Sequence, residues 1–313
     1  MTIKIIKNRS DIGAGTRGSD MGIDAIEIAA INQNNDFFHR HLFEDVVTHN
    51  ETIYNKNNNN FAKRIEHVVE QCQRVSDAVS ENLTQGFFPI VLSGDHSSAL
   101  GTISGIKAAN PNKKLGVIWI DAHADIHSPF TSPSGNIHGM PLAAAMGLDN
   151  LDCKINDPEP LTIAHWNSMK NIGLMGPKLL PEHLVYFGVR DFEEAEQYVI
   201  EKNNISLMRV KDLRYRGLST CVKEAIGKLE NCDLIYISFD VDSMDSDHIS
   251  SGTGTPVPKG LYPEEVMQIF DLLLATQKVV CIEFTEINPL LDNKGNKMAE
   301  TAFQVLNHIA RHI

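Results

Sequence analysis

The sequence is poor in cysteine and in basic residues and contains no long apolar run. Its five cysteines are scattered and never paired as C-x-x-C, which argues against a disulfide framework. Only 28 lysines and arginines stand against 40 aspartates and glutamates, and the net charge of −12 disfavours binding to polyanions. No apolar run approaches the roughly 18 residues of a spanning helix, and no signal-peptide pattern opens the chain. We expect a cytoplasmic protein that binds neither nucleic acid nor membranes.

What the sequence does contain is a set of five short apolar runs, each ending in polar residues. They cover residues 89–92, 115–120, 184–189, 234–239 and 279–284. Their length and β-branched or aromatic content are typical of strands buried on both faces. Segments of helical spacing lie between them, which indicates an α/β fold with a mainly parallel sheet and ligands at the carboxyl ends of its strands. No linker divides the chain, so we expect a single domain over residues 1–313.

Chemistry-bearing residues cluster where these runs end. Asp121, His123 and Asp125 alternate with alanines in DAHAD. Asp240 and Asp242 alternate in the same way in SFDVD. Alternate side chains of an extended backbone point to the same side, so we expect the donors of each cluster to converge.

Together with His96 in SGDHS, these clusters hold four carboxylates and two imidazoles. Carboxylates crowded into one crevice repel one another unless cations neutralise them, and two divalent ions supply four positive charges. Oxygen-rich sites with some imidazole suit Mn²⁺ and related ions, whereas a structural zinc site favours thiolates. A single cluster of this kind is more often a solvated loop or a cap, but three at strand ends favour a site for two metal ions.

The motifs resemble, in order and spacing, those of the ureohydrolase family, which comprises arginases, agmatinases and their relatives. The matching segments are SGDHS at 93–97, DAHAD at 121–125, SFDVD at 238–242 and the glutamate of EINP at 286. The resemblance runs over most of the chain and is strongest to the arginase branch. It implies a three-layer α/β/α fold, two Mn²⁺ ions per subunit with Co²⁺ or Fe²⁺ as alternatives, and a homotrimer or homohexamer.

The resemblance also implies which residues hold the metal ions. The family's ligands of one ion match His96, Asp121, Asp125 and Asp240. Those of the other ion match His123, Asp121, Asp240 and Asp242. Asp121 and Asp240 would therefore bridge the two ions. A hydroxide held between the ions would attack the guanidinium carbon of the substrate.

Three residues match family members that take part in the reaction itself. Asp125 would relay the proton of the hydroxide, and His138 would carry a proton to the leaving amine. Glu286 would orient the guanidinium group by paired hydrogen bonds. Taken as isolated residues, His138 could instead be a structural histidine and Glu286 a helix cap.

Further matches concern the substrate. Ser134 and Asn136 resemble the residues with which arginases read the α-carboxylate of arginine, a group that agmatine lacks. Glu193 and Glu196 match acidic residues near the α-amino group, although two acids three residues apart are also common on a solvated helix face. Thr255 matches a threonine near the guanidinium end of the substrate.

The chain departs from the arginase pattern in three places. His127 stands where arginases usually carry an asparagine that binds the carboxylate, and Glu193 replaces an aspartate. The loop after SFDVD has Ser246 where proline is usual, with one extra residue before Thr255. These changes concern the substrate rather than the metal ions.

The glycine-rich opening, residues 10–22, lacks the spacing and the lysine of a phosphate-binding loop. We assign it no role on sequence grounds.

The leading hypothesis is hydrolysis of L-arginine to L-ornithine and urea. An agmatinase, a guanidinobutyrase or another guanidine hydrolase is the enzyme alternative. A catalytically silent homologue is the third reading, and it is disfavoured because a silent protein has no chemical need for six ligands, His138 and Glu286 together.

Overall fold

The computed structural model describes residues 1–55 and 59–313. Over these ranges eight parallel strands form one sheet. In chain order they are β1 (Ile3–Asn8), β2 (Leu42–Asp45), β3 (Phe88–Ser93), β4 (Leu115–Ile120), β5 (Leu184–Phe187), β6 (Ser206–Met208), β7 (Leu234–Asp240) and β8 (Val279–Thr285). Across the sheet their order is β2-β1-β3-β8-β7-β4-β5-β6.

Helices cover both faces of this sheet. In chain order they are α1 (Gly22–Asn32), α2 (Phe37–Arg40), α3 (Ile65–Thr84), α4 (Ala99–Ala109), α5 (Pro141–Met146), α6 (Pro160–Met169), α7 (Glu194–Lys202), α8 (Val210–Arg216), α9 (Leu218–Lys228), α10 (Pro263–Leu274) and α11 (Lys297–Ile309). Helices α3 to α7 pack on one face, and the others pack on the opposite face. This three-layer arrangement confirms the predicted α/β/α fold. Among the described residues, no helix is long and apolar enough to cross a bilayer.

Strand β4 explains why the central strands are apolar throughout. Ile118 and Ile120 pack into the core on one face of the sheet. Val117 and Trp119 pack into the core on the other face. Because successive side chains point to opposite faces, a strand covered on both sides has no polar alternation. The five apolar runs accordingly correspond to β3, β4, β5, β7 and β8.

The sequence prediction missed β1, β2 and β6. Strand β1 lies inside the sheet, but two lysines interrupt its apolar pattern. One of them, Lys7, is buried because its Nζ pairs with Glu27 Oε1 at 2.7 Å and lies 3.6 Å from the ring centroid of Phe43. Strands β2 and β6 form the two edges of the sheet and are only four and three residues long. Strand β5 also ends earlier than expected, since Gly188 has a φ of 92°.

The carboxyl ends of four neighbouring strands carry the polar clusters. Asp121 follows β4, Asp240 ends β7, and Glu286 follows β8. His96 begins the short turn of helix that follows β3. Because β3, β8, β7 and β4 are adjacent in the sheet, these side chains are delivered to one place.

Candidate metal centre and substrate pocket

The predicted metal ligands form two groups of donors that meet at Asp121. His96 Nδ1 lies 3.1 Å from Asp121 Oδ2 and 3.2 Å from Asp240 Oδ2. On the other side, His123 Nδ1 lies 3.6 Å from Asp121 Oδ1 and 3.0 Å from Asp242 Oδ2. In each group the donor atoms lie within 4.8 Å of one another, the separation expected of ligands to one ion.

The surroundings of His96 fit a metal ion. In the tautomer whose Nε2–H donates to Ser238 Oγ at 2.7 Å, Nδ1 carries the lone pair that ligates metals. Nδ1 is buried and makes no well-directed hydrogen bond within the described part of the chain. Asp125 Oδ2, at 3.0 Å, joins Asp121 and Asp240 around it. A lone pair facing three carboxylate oxygens is unfavourable unless a cation lies between them.

The pKa values of the acids reflect this crowding. Burial, followed by the charge of Asp121, raises the pKa of Asp125 to about 6. Burial and the charges of Asp242 and Asp121 raise the pKa of Asp240 well above its usual range. For Asp121, burial also acts to raise the pKa, but the nearby imidazoles of His123 and His96 outweigh it and lower the pKa. Two divalent cations would relieve the repulsion among these carboxylates.

Hydrogen bonds hold the acids in place. The backbone N–H of His123 donates to Asp121 Oδ1 at 2.7 Å, and Trp119 Nε1 donates to Asp121 Oδ2 at 2.9 Å. The backbone N–H of Asp242 donates to Asp240 Oδ1 at 2.8 Å. Asp240 belongs only to the donor group of His96, so its bridging of two ions stays a prediction.

Sequence reasoning missed a buried polar network beneath the donors. Glu283 is fully buried in β8 and accepts hydrogen bonds from Ser93 Oγ and Tyr236 Oη, both at 2.7 Å. Ser238, which contacts His96, lies two residues after Tyr236 on β7. A glutamate inside an otherwise apolar run was the available signal, because an unpaired buried charge is too unfavourable to persist.

Two of the predicted catalytic residues have unusual backbone conformations. Asp125 has a φ of 50° and Glu286 a φ of 65°, in the left-handed region that glycine prefers. A residue with a Cβ loses on the order of 1–2 kcal/mol there. Such strain persists where the surrounding structure holds it, and it is concentrated at functional sites.

His138, which is partly exposed, and Glu286, which is buried, form a pair beside the metal ligands. Glu286 Oε1 lies 2.9 Å from His138 Nδ1 and accepts a hydrogen bond from the backbone N–H of His96 at 3.0 Å. Burial acts to lower the pKa of His138, but the charge of Glu286 outweighs it and raises the pKa to about 9. Burial acts to raise the pKa of Glu286, and the charge of His138 lowers it below its usual range. The pair is therefore charged at neutral pH.

A pocket of about 300 Å³ opens above these residues. Every candidate residue named from the sequence lines it, except Asp121, which is fully buried beneath. Thr255 lines this pocket beside the metal ligands, since its Oγ1 donates to Asp242 Oδ2 at 3.1 Å, and its expected place near the substrate guanidinium stays a prediction. Arg190, which the sequence analysis did not single out, steadies the loop that contains Thr255 by donating to the backbone carbonyls of Asp242 at 2.9 Å and Val257 at 2.7 Å.

Two of the three departures from the arginase pattern, His127 and Glu193, contact each other in the structure. His127 Nε2 lies 3.0 Å from Glu193 Oε2 and 3.7 Å from Glu196 Oε2, and its Nδ1 lies 3.1 Å from Thr131 Oγ1. Both ring nitrogens are therefore engaged. The hydrogen bond from His127 lowers the pKa of Glu193 to about 2, whereas burial raises that of Glu196 well above its usual range. Glu193 and Glu196 also form the capping box of α7, so they have a structural role besides any contact with substrate.

Asn136, which also lines the pocket, has a partner that the sequence did not indicate. Its Oδ1 accepts a hydrogen bond from Lys63 Nζ at 3.2 Å. This contact fixes the orientation of the amide and places a positive charge next to the pocket-lining Asn136. Ser134 is exposed next to it, and its Oγ accepts from the backbone N–H of Asn136 at 3.2 Å.

The glycine-rich opening packs against the site. Gly13 donates its N–H to Asp95 Oδ2 at 2.9 Å and accepts from the N–H of His138 at 3.1 Å. A Cβ on Gly15 would lie 2.5 Å from Asn136 Nδ2. These glycines therefore allow the backbone to approach the site closely, which is a structural role that the sequence analysis left unassigned.

Comparison with known proteins agrees with this geometry. The family model described as Arginase family matches residues 2–311. The chain belongs to this family. Arginase from Bacillus caldovelox is 33% identical over 310 residues, which cover 98% of this chain and 97% of that protein. Arginase from Bacillus subtilis strain 168 is 32% identical over 310 residues, with coverage of 98% and 97%.

Solved structures of the family have the same fold. The native arginase of Bacillus caldovelox at pH 5.6 aligns with a TM-score of 0.84 at 33% identity, covering 98% of this chain and 97% of that chain. Arginase from Entamoeba histolytica in complex with L-ornithine aligns with a TM-score of 0.82 at 26% identity, with coverage of 98% and 97%.

Proposed function

We propose that this chain hydrolyses L-arginine to L-ornithine and urea with two divalent metal ions, and we expect Mn²⁺. As a member of the Arginase family, the chain is a hydrolase that acts on a C–N bond of a guanidino group. The observation that carries the proposal is the meeting of the two donor groups at Asp121, on the floor of a pocket that His138 and Glu286 also line.

The ions would be held by residues from three strand ends. These residues are His96, Asp121, His123, Asp125, Asp240 and Asp242. When bound, two divalent ions supply a water-derived nucleophile at neutral pH. The buried tryptophan and backbone hydrogen bonds described above keep the carboxylates in one orientation, so little reorganisation accompanies binding.

Three residues of the chain would bind the guanidinium group and transfer protons. Glu286, ionised at neutral pH, would pair with the planar guanidinium. Asp125 would accept the proton that the attacking water loses. His138, protonated at neutral pH, would donate its proton to the departing amine. The oxygen of water joins the guanidinium carbon, the bond to the ornithine nitrogen breaks, and urea leaves.

The pocket wall at Asn136, to which Lys63 is hydrogen-bonded, favours arginine over agmatine. The Oδ1 atom of Asn136 is bound to Lys63, and within residues 1–55 and 59–313 its NH₂ group has no other acceptor, so this group can donate to a carboxylate. Lys63 adds a positive charge at the same place. Agmatine has no carboxylate to use these groups. The arginase of Entamoeba histolytica, which was crystallised with L-ornithine, is a relative that binds an amino acid.

A second candidate, hydrolysis of agmatine, is favoured by the contact between His127 and Glu193. Both ring nitrogens of His127 have partners, so it is less available to a carboxylate than an asparagine at that position. Two glutamates beside it attract an amine. The two candidates therefore differ in which wall of the pocket dominates recognition.

A substrate panel distinguishes the candidates. The Mn²⁺-loaded protein is assayed for urea with arginine, agmatine and guanidinobutyrate, and with protein stripped of metal as the control. We expect the highest kcat/KM with arginine. A higher value with agmatine would replace the proposal by the second candidate, and no urea from any substrate with two metal ions bound would support a silent homologue.

We further propose a single domain over residues 1–313 and a homotrimer or homohexamer in the cytoplasm, on the strength of the family resemblance. Light scattering coupled to size exclusion measures the assembly. A monomer that retains activity would contradict the proposed oligomer.

A further inference from the structure

Two histidines and an aspartate meet on the surface where α10 lies beside α11. His308 Nε2 lies 2.8 Å from Asp271 Oδ1, and His312 Nδ1 lies 3.6 Å from the same oxygen. The two imidazole rings are 4.8 Å apart between centroids. One donor atom from each residue lies within 4.8 Å of the others, and none of the three residues lines the catalytic pocket.

We propose that Asp271, His308 and His312 form a third divalent-metal site, separate from the catalytic centre. The histidines are four residues apart, a spacing that puts both rings on one face of a helix and its terminal turn. Donors around a tetrahedral ion with bonds of about 2.0–2.1 Å lie about 3.3 Å apart. The His312 to Asp271 distance of 3.6 Å already suits such an ion, and the 2.8 Å distance to His308 needs only a small opening.

The donor chemistry selects a different metal from that of the catalytic centre. Two imidazoles and one carboxylate suit Zn²⁺, Ni²⁺ or Cu²⁺, whereas four carboxylates with two imidazoles suit a harder ion such as Mn²⁺. Zn²⁺ bound by three protein donors keeps a fourth position for water. His312 Nδ1 also contacts the carbonyl of His308 at 3.1 Å, and metal binding would exchange this contact.

The site lies at the opposite end of the sheet from the catalytic pocket. Asp271 and His312 line a cavity of about 540 Å³ together with Phe88 and Val279, the first residues of β3 and β8. The catalytic pocket lies beyond the other ends of the same strands. An ion here would join α10 to α11 without touching the reaction, so its effect would be stabilisation of the folded state by mass action.

Metal counting tests the proposal. Protein loaded with Mn²⁺ is equilibrated with buffered Zn²⁺, and total metal per chain is measured by mass spectrometry. We expect three ions per chain in the original protein and two in H308A/H312A. The control H49A removes an exposed histidine that pairs with Glu51 at 3.1 Å, and it should keep three ions. Exchange of Zn²⁺ for Mn²⁺ in the catalytic centre is expected to be the same in all variants, so it does not affect the difference in total metal per chain between them.

A second variant and a second measurement distinguish loss of the metal site from misfolding of the variant. Asp271→Asn should weaken Zn²⁺ binding at least tenfold in calorimetry while urea production with Mn²⁺ stays unchanged. Zn²⁺ should raise the melting temperature of the original protein and of H49A, but not that of H308A/H312A. Equal stoichiometry and equal Zn²⁺ affinity in all variants would overturn the proposal, whatever the substrate of the catalytic centre proves to be.

Discussion

The floor and the rim of the pocket are built in different ways. The floor comprises His96, Asp121, His123, Asp125, Asp240 and Asp242. The rim comprises His127, Ser134, Asn136 and Glu193, together with Lys63, which is hydrogen-bonded to Asn136. Floor acids are oriented by nearby backbone, as when the N–H of His123 donates to Asp121 at 2.7 Å. Rim contacts join distant segments, since His127 and Glu193 are 66 positions apart in the chain and Lys63 and Asn136 are 73 positions apart.

Because of this difference, we expect the floor to carry out the reaction and the rim to select the substrate. The floor stands at the ends of strands buried in the core, so its geometry depends on the most stable part of the fold. The rim stands on loops, which can exchange residues without disturbing the sheet. We therefore expect floor substitutions to change metal content and kcat, and rim substitutions to change KM and the choice of substrate.

The largest effect is expected for Asp240→Asn on the floor. A neutral amide withdraws a negative charge from the donor group of His96, so metal affinity falls. Loss of metal-assisted catalysis is worth several kcal/mol, about a thousandfold or more in kcat. Metal content and urea production measure both effects. Asp77→Asn, on the exposed side of α3, is the matched control and should change neither.

His138→Asn should lower kcat by about a hundredfold to ten-thousandfold, the range for loss of a general acid. His138 acts in its protonated form, and Glu286 raises its pKa to about 9. Activity of the original protein should therefore fall as the pH rises through about 9, and this limb should be absent from the residual activity of the variant. An unchanged pH profile would show that another group donates the proton.

Asn136→Ala on the rim should raise KM for arginine by about 10- to 100-fold, the equivalent of a lost hydrogen bond to a charged group. KM for agmatine should stay the same because agmatine has no carboxylate. Lys63→Ala should act in the same direction through loss of charge and of the amide's partner. Asn171→Ala, on an exposed surface, is the control. Equal effects on both substrates would contradict the carboxylate-reading role.

The smallest effect is expected for His127→Asn, which restores the usual arginase residue. The Nε2 atom of His127 contacts Glu193, and asparagine has no ring nitrogen to make this contact. The amide of asparagine can donate to a carboxylate. We expect the ratio of kcat/KM for arginine to that for agmatine to rise about fivefold, the value of one ordinary hydrogen bond. A falling ratio would mean that His127 itself binds the carboxylate, and the rim would then need a different account.

The fold and the residues of the floor were largely predictable from the sequence, whereas the contacts of the rim residues were not. Strands β3, β4, β7 and β8 follow from unalternated apolar runs, and their ends carry the donors. The sequence prediction missed strand β1 because Lys4 and Lys7 break the apolar pattern, and the burial of Lys7 depends on its pairing with Glu27 elsewhere in the fold. The candidate rim residues line the pocket as expected, but nothing local in the sequence indicated what each of them would contact.

The sequence alone determined the donor chemistry, because residues that alternate at the end of a buried strand must project together wherever that strand lies. It also determined family membership through the order and spacing of the motifs. Only the tertiary structure decided that Lys63 meets Asn136, that His127 meets Glu193, and that Asp271 meets His308 of α11 and His312 just after it. Such contacts depend on how loops and helices pack across the sheet, and packing between distant segments leaves no periodic trace in the chain.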